Sequence, residues 1–331
     1  MAGTGTAHLH PDGDVVLRVA DLTVEFPIGR DDVVQAVSGI SFDIRRGETL
    51  GLVGESGCGK STTGRAVLQL PRPTSGTVSF DGVDLGALSD EALRRTRIRM
   101  QMILQDPVSS LNPRRTIRQI VGEGLTIWGR NEGRDERIDE VLTAVGLDPE
   151  LVRDRRPHQF SGGQCQRICI ARALALEPEL LICDEPVSAL DVSVQAQLLN
   201  LIREMKAAYT LTMMFIAHDL AVVRNISDRV IVMYLGKICE VADADTLFDA
   251  AAHPYTQALV QAVPNPDPRL PVAPAGLKGE LPSPLAPPSG CRFRTRCPLA
   301  TDICAAEEPQ VRRLGPGHFV ACHHAEAPVA T

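Results

Sequence analysis

The octapeptide Gly54-Glu55-Ser56-Gly57-Cys58-Gly59-Lys60-Ser61 constrains this chain more than any other stretch. It fills the pattern G-x-x-x-x-G-K-[ST], and Thr62 follows it. An apolar run, TLGLVG, leads into it, and a helix-compatible stretch from Ser61 to Leu70 leaves it. The glycines let the backbone curl until successive N–H groups face one phosphate. The helix start adds its partial positive charge. Lys60 reaches the β- and γ-phosphates, and the Ser61 hydroxyl suits Mg²⁺. Glycine-rich turns before helices also occur as plain structure, but the Lys-Ser pair and both flanks point to a nucleotide. Cys58 reads as a small filler, because the loop needs only its backbone.

A strand feeding such a loop predicts an α/β fold, and the hydrophobic patterning agrees. Leu22, Val24 and Phe26 alternate with polar residues, as do Ile40, Phe42 and Ile44. Leu180 to Cys183 and Leu211 to Ala217 are short apolar runs, suited to strands of a parallel sheet covered on both faces. Between them, Ile138, Val141, Leu142 and Val145 fall on one helical stripe, and Val194, Leu198, Leu201, Ile202 and Met205 on another. Alternating strands and helices imply a mainly parallel sheet. The 331 residues carry a formal net charge of −7, which argues against a broad nucleic-acid footprint. No run approaches the ~20 apolar residues of a membrane-spanning helix. The opening MAGTGTAHLHPDGD lacks the basic and apolar parts of a signal peptide, so a cytoplasmic protein is expected.

Two further constellations carry chemistry. The run ending in Asp184 and Glu185 places two carboxylates at a strand end, where one suits Mg²⁺ and the other a general base. His218 follows the next apolar run directly, at another strand end where ligands collect. Ser161-Gly162-Gly163-Gln164, after Phe160, reads as a capping box opening a helix to about Leu176. A cap alone would not choose two glycines, each costing roughly 1 kcal/mol against alanine. Bare backbone there suggests a second phosphate-binding surface.

As a set these motifs resemble the ATP-binding cassette (ABC) family over nearly all of residues 15–250. Gln105, in ILQDP, resembles the Q-loop glutamine that senses Mg²⁺ and contacts the membrane partner. Ser161 to Gln164 resembles the signature, with Phe160 where leucine is commoner. Asp184 and Glu185 resemble the Mg²⁺-side aspartate and the catalytic glutamate, and His218 the switch histidine. Asp191, in SALD, resembles the D-loop, and Phe26 the aromatic that stacks on adenine. The resemblance implies a phosphate-loop NTPase cassette with an antiparallel β subdomain and a helical subdomain. It implies ATP and Mg²⁺ as ligands. It also implies head-to-tail pairing, in which one chain's signature completes the other's phosphate loop.

The tail narrows the family. HPYTQAL from His253, GELPSP from Gly279, PSGC from Pro288 and Arg296-Cys297-Pro298 resemble the extension of dipeptide and oligopeptide importer ATPases, closest to their second, F-type subunit. That resemblance implies a second, different cassette, two membrane-spanning permease subunits and an extracytoplasmic peptide-binding protein as partners. The chain is then expected at the cytoplasmic face of the membrane, without nucleic acid. The alternatives are a soluble cassette acting on ribosomes or nucleic acid, and an importer ATPase for a metal complex or other small solute.

The expected layout is a disordered start over 1–14, an ATPase domain over 15–260, a connector over 261–289, a cysteine module over 290–324 and a tail over 325–331. Nine prolines between Pro264 and Pro288 underlie the connector. Cys291, Cys297, Cys304 and Cys322 fit no zinc-finger spacing. Four thiolates in so small a module suit a [4Fe–4S] cluster or Zn²⁺, which would supply folding energy; the plain alternative is four reduced thiols in a docking loop. The family resemblance favours iron–sulfur over zinc. Cys165, Cys169, Cys183 and Cys239 read as buried small residues.

Overall fold

A computed structural model describes residues 5–11, 13–29, 32–263 and 279–326. It divides into two compact units, one built from 1–88 and 215–331, the other from 89–214.

The first unit opens with two long strands, β1 (Val15–Ile28) and β2 (Asp32–Arg45), which pair antiparallel. Next come β3 (Thr49–Val53), α1 (Lys60–Val67), β4 (Ser75–Phe80) and the short β5 (Val83–Asp84). The order β2-β1-β4-β5 makes an antiparallel sheet, and the alternation in β1 buries Leu22 and Val24.

The second unit holds α2 (Asp90–Thr96), β6 (Met100–Ile103), α3 (Ile117–Val121), α4 (Glu123–Ile127) and α5 (Arg134–Ala144). It continues through α6 (Pro149–Val152), α7 (Gly162–Leu174), β7 (Leu180–Asp184) and α8 (Val192–Tyr209). Strands β6 and β7 run parallel, and every residue of β7 is buried. The predicted stripes hold: Ile138, Val141 and Leu142 of α5 and Leu198, Leu201 and Ile202 of α8 are buried.

The boundary between units falls inside β8 (Thr212–Ala217). The first unit then resumes with α9 (Leu220–Ile226), β9 (Arg229–Tyr234), β10 (Lys237–Asp243), α10 (Ala244–Asp249) and α11 (Pro254–Gln261). It ends with α12 (Asp302–Ala306), β11 (Arg312–Gly315) and β12 (His318–Val320). Strand β3 pairs parallel with β9, and β9-β10-β12-β11 continues antiparallel. Within the first unit lies a buried charge cluster of Asp43, Glu48 and Arg229. Arg229 donates to Asp43 Oδ1 and Glu48 Oε1, each at 2.8 Å. Burial, the largest single influence, raises the Asp43 carboxyl, but the Arg229 charge and the hydrogen bonds from His10 and Arg229 together hold the group below its usual range.

Three expectations change. The first fourteen residues were expected to lack structure, yet His8 is buried and its Nε2 lies 2.7 Å from Ser41 O. The cysteine module is no separate small body. Its β12 joins the sheet beside β10, and Phe293 and Val320 are buried, so it borrows the core of the first unit. The tail begins with a buried Ala325. The proline-rich stretch 264–278, most of the predicted connector, lies outside the described residues.

Candidate functional site

In the first unit the phosphate loop joins β3 to α1. Gly54, Gly57 and Gly59 have φ of 155°, 81° and 102°, which L side chains rarely adopt. At Gly59 a Cβ would also meet Ala36 O at 2.2 Å, so no other residue fits. The predicted helix from Ser61 to Leu70 is shorter than expected, ending at Val67. Lys60 Nζ donates to Gly54 O at 2.7 Å and to Glu55 O at 3.0 Å, lying along the loop. Thr62 and Ser61 are half-buried, whereas Ser56 and Gly57 are exposed. Cys58 is buried, and burial pushes its thiol up, which agrees with a filler and not a nucleophile. Phe26 keeps 39% of its surface exposed near the end of β1, leaving a ring face for a planar base. His218 is exposed just after β8.

In the second unit Asp184 ends β7, fully buried, and Glu185 follows at 8% exposure. Glu185 has φ 48°, a left-handed conformation that costs a non-glycine residue of order 1–3 kcal/mol and is often kept where function needs it. Gln105 Nε2 donates to Glu185 Oε2 at 2.9 Å, so two residues picked separately from the sequence meet. The capping box is present. Ser161 Oγ accepts from Gln164 N at 3.3 Å, and Gln164 Oε1 accepts from Ser161 N at 3.0 Å. The two glycines differ in their reason. A Cβ on Gly163 would meet Val194 Cγ1 at 2.7 Å, so packing against α8 requires it. A Cβ on Gly162 would meet only Leu190 Cδ2 at 3.6 Å, an ordinary contact, so packing does not require a glycine there. Asp191 caps α8, accepting from Val194 N at 3.0 Å.

Hard oxygen donors are what Mg²⁺ takes; in the second unit the buried Asp184 carboxylate is such a donor, and in the first the half-buried Ser61 hydroxyl is another. The expected iron–sulfur cluster or zinc ion finds no such support. Among the described residues no group of three or more His, Cys, Asp or Glu side chains is arranged to hold a metal ion. Cys304 Sγ instead lies 3.4 Å from His324 Nε2 and 3.8 Å from Thr301 Oγ1, and Cys322 Sγ accepts from His324 N at 3.4 Å. Burial pushes the thiols of Cys291, Cys297 and Cys322 up; Cys291 reaches about 11. The other buried thiols behave as small apolar residues, with Cys183 pushed to about 12 by burial.

Two contacts to the phosphate loop were not foreseen. Arg296 grips the Glu55 carboxylate with two bonds, at 2.6 and 3.0 Å. Glu55 N donates to the Tyr255 hydroxyl at 2.8 Å. The partners lie 241 and 200 residues apart, beyond the reach of any local pattern.

Residues 37–188 match the model of the ABC transporter family, and residues 239–304 match that of the oligopeptide/dipeptide transporter C-terminal region. The oligopeptide transport ATP-binding protein AppF of Bacillus subtilis (strain 168) is 51% identical over 322 residues, covering 94% of this chain and 97% of the relative. The chain belongs to the ABC transporter ATP-binding family. A second relative of this ABC protein, the putative oligopeptide transport ATP-binding protein YkfD of the same organism, is also 51% identical, over 93% of this chain and 95% of the relative. A dimeric ATP-binding cassette solved in a post-hydrolysis state with ADP and Pi is 28% identical with a TM-score of 0.63, covering 69% of this chain and 98% of that one. The ABC cassette fold expected from the motifs is therefore correct, and ABC ATP-binding proteins hydrolyse ATP. The expected label of F-type ATPase subunit is corrected: the matched family is the ABC transporter, and its model makes no such distinction. Among the described residues, no helix of this ABC protein is long and apolar enough to cross a membrane.

Proposed function

We propose that this chain is the ATP-hydrolysing subunit of an importer of short peptides. The observation that carries the reading is a peptide-transporter C-terminal region joined to a cassette whose Gln105 amide holds the Glu185 carboxylate. Relatives at about half identity, named as oligopeptide transport ATP-binding proteins, support the cargo class. The subunit would sit at the cytoplasmic face of the membrane, paired with a second and different cassette. Two permease subunits would carry the pair, and an extracytoplasmic binding protein would deliver peptide.

The roles follow from chemistry. Phe26 stacks on adenine. The loop from Gly54 to Thr62 wraps the phosphates, with Lys60 turning from its loop carbonyls to the β- and γ-oxygens. Ser61 and Asp184, with Gln105 nearby in role, would hold Mg²⁺, which neutralises developing phosphate charge. Glu185 takes the proton of the attacking water, and the Gln105 hydrogen bond fixes its orientation. His218 contacts the γ-phosphate. Ser161, Gly162, Gly163 and Gln164 complete the partner's nucleotide site, with Asp191 beside them. Closure on ATP and reopening after hydrolysis then drive the permease. The four clustered cysteines take no part in these steps.

Glu185→Gln tests the base. It should bind ATP normally, accumulate closed cassette pairs on size-exclusion chromatography and lose about 10²–10⁴ in turnover. Normal turnover in the assembled complex would remove Glu185 from its role. ATPase stimulation by a metal complex and not by peptides would overturn the cargo.

A further inference from the structure

The C-terminal extension reaches the phosphate loop at more than one point, and the cassette chemistry uses none of these contacts. Arg296 lies in the module, with its side chain 5% exposed, and grips Glu55 in a fork-to-fork pair. The same guanidinium donates to the Tyr234 hydroxyl at 3.4 Å and lies over that ring. Tyr255, on α11, takes the Glu55 N–H, so backbone and side chain of one loop residue are both held. Leu281, in the segment leading to the module, places its Cδ2 4.0 Å from where a Cβ on Gly57 would stand. Tyr234 packs edge to face on Tyr255 and Phe293, and Tyr255 and Phe293 meet at a tilt, with centroids 4.8 to 5.4 Å apart, tying β9, α11 and the module into one support. Both the HPYTQAL and the Arg296-Cys297-Pro298 stretches thus place a residue against Glu55.

We propose that Arg296 is a positioning residue for nucleotide binding: through Glu55, the C-terminal module braces the phosphate loop and sets its affinity for a nucleoside triphosphate. Two effects act in the same direction. The loop holds three glycines at left-handed φ, and a brace that fixes Glu55 removes part of the ordering cost that binding would otherwise carry. Glu55 also stands directly after Gly54, at the mouth of an anion site. Its carboxylate would repel a triphosphate unless a cation neutralised it, and Arg296 is that cation. Lys60 bonds the carbonyls of Gly54 and Glu55, so the braced peptide is also the one that parks the phosphate-binding lysine.

The inference rests on the ATP-site reading of the loop. The full-length chain is titrated with Mg²⁺ and a non-hydrolysable ATP analogue by calorimetry, and steady-state ATPase is measured alongside. R296A should weaken binding about tenfold, the scale of a charge-assisted pair, and raise KM while kcat at saturation stays within twofold. R296K keeps the charge but not the fork and should fall between; it decides the matter alone if R296A does not fold. E55Q removes the repelling carboxylate, so E55Q/R296A should bind no more weakly than R296A. Wild-type affinity in both Arg296 variants, a loss confined to kcat, or losses that multiply in the double variant would overturn the proposal. Lys60→Ala keeps the two readings apart. If K60A loses binding while R296A does not, only the brace fails; if K60A binds normally, the loop reading fails.

Discussion

His253 offers a measurement whose size follows from the structure. It caps α11 from a position 2% exposed, with its ring 5.7 Å from that of Phe293. Its Nδ1 accepts from Tyr255 N at 3.0 Å, and its own N–H donates to Glu240 Oε2 at 2.9 Å. A proton on Nδ1 would turn that acceptor into a donor facing another donor. Burial lowers the His253 pKa from 6.5 to about 4, and the Glu240 charge offsets only part of this. Between those values the unfolded chain binds the proton that the folded chain refuses. Stability is therefore full above about pH 6.5, falls as the pH drops, and stops falling from this source near 4. From pH 7 to pH 5 the loss is about 2 kcal/mol. Glu240 Oε1 also lies 2.6 Å from His318 Nε2, so the carboxylate bridges the helix cap and β12. His253→Asn isolates the effect, because asparagine still offers an oxygen to Tyr255 N. Urea unfolding of both proteins at pH 7 and pH 5 should show the wild type losing about 2 kcal/mol more than the variant. Equal losses, or a His253 ring that titrates near its ordinary value by NMR, would refute the reasoning.

The glycines of the signature should separate by assay. Gly163→Ala should lose about 1–3 kcal/mol in thermal unfolding, because its Cβ strikes Val194, whereas Gly162→Ala should keep stability and lose ATPase activity. Ser161→Ala should lose the cap, about 1 kcal/mol, while Ser161→Asp keeps it; both should abolish ATP-driven pairing, since the first removes the hydroxyl donor and the second opposes a phosphate. Arg229→Met strands two buried carboxylates and should lose about 3–5 kcal/mol at neutral pH in urea unfolding. Asp43 titrates below its ordinary range, so the wild-type advantage is present at neutral pH and should shrink as the pH falls through the acid range.

Much of the cassette is readable from local pattern, because its chemistry is local. The phosphate loop, the strand ending in Asp184 and the capped helix at Ser161 each occupy one continuous stretch. Apolar spacing located α5 and α8 because a helix buries one stripe. What pattern could not supply is pairing at a distance. Nothing in the sequence around Glu55 or Arg296 announces the other; the module is held to the first unit by the β10–β12 pairing and by Arg292 bonds to Gln35 and Ser38, contacts that are equally distant in sequence. The cysteine spacing misled for the opposite reason. Clustering in sequence suggested a module too small to fold without a ligand, whereas Phe293 and Val320 share the core of the larger unit. The burial of His8 was invisible too, since its partners are the backbone of Ser41 and the ring of Phe319.

The division into two units has a consequence for synthesis. The unit over 89–214 is one continuous segment, so it is synthesised in a single stretch. The other unit is not: Thr49 N donates to the Asp228 carboxylate, a partner 179 residues later. At roughly 5–20 residues per second, β3 waits about 10–40 s for the strand that covers it. During that time the nascent phosphate loop hangs from an unpaired apolar strand, and the brace from Arg296 arrives last of all. On the proposed brace, full nucleotide affinity is therefore reached only after the module has been made, so a truncated product lacking the module would carry the loop without its support.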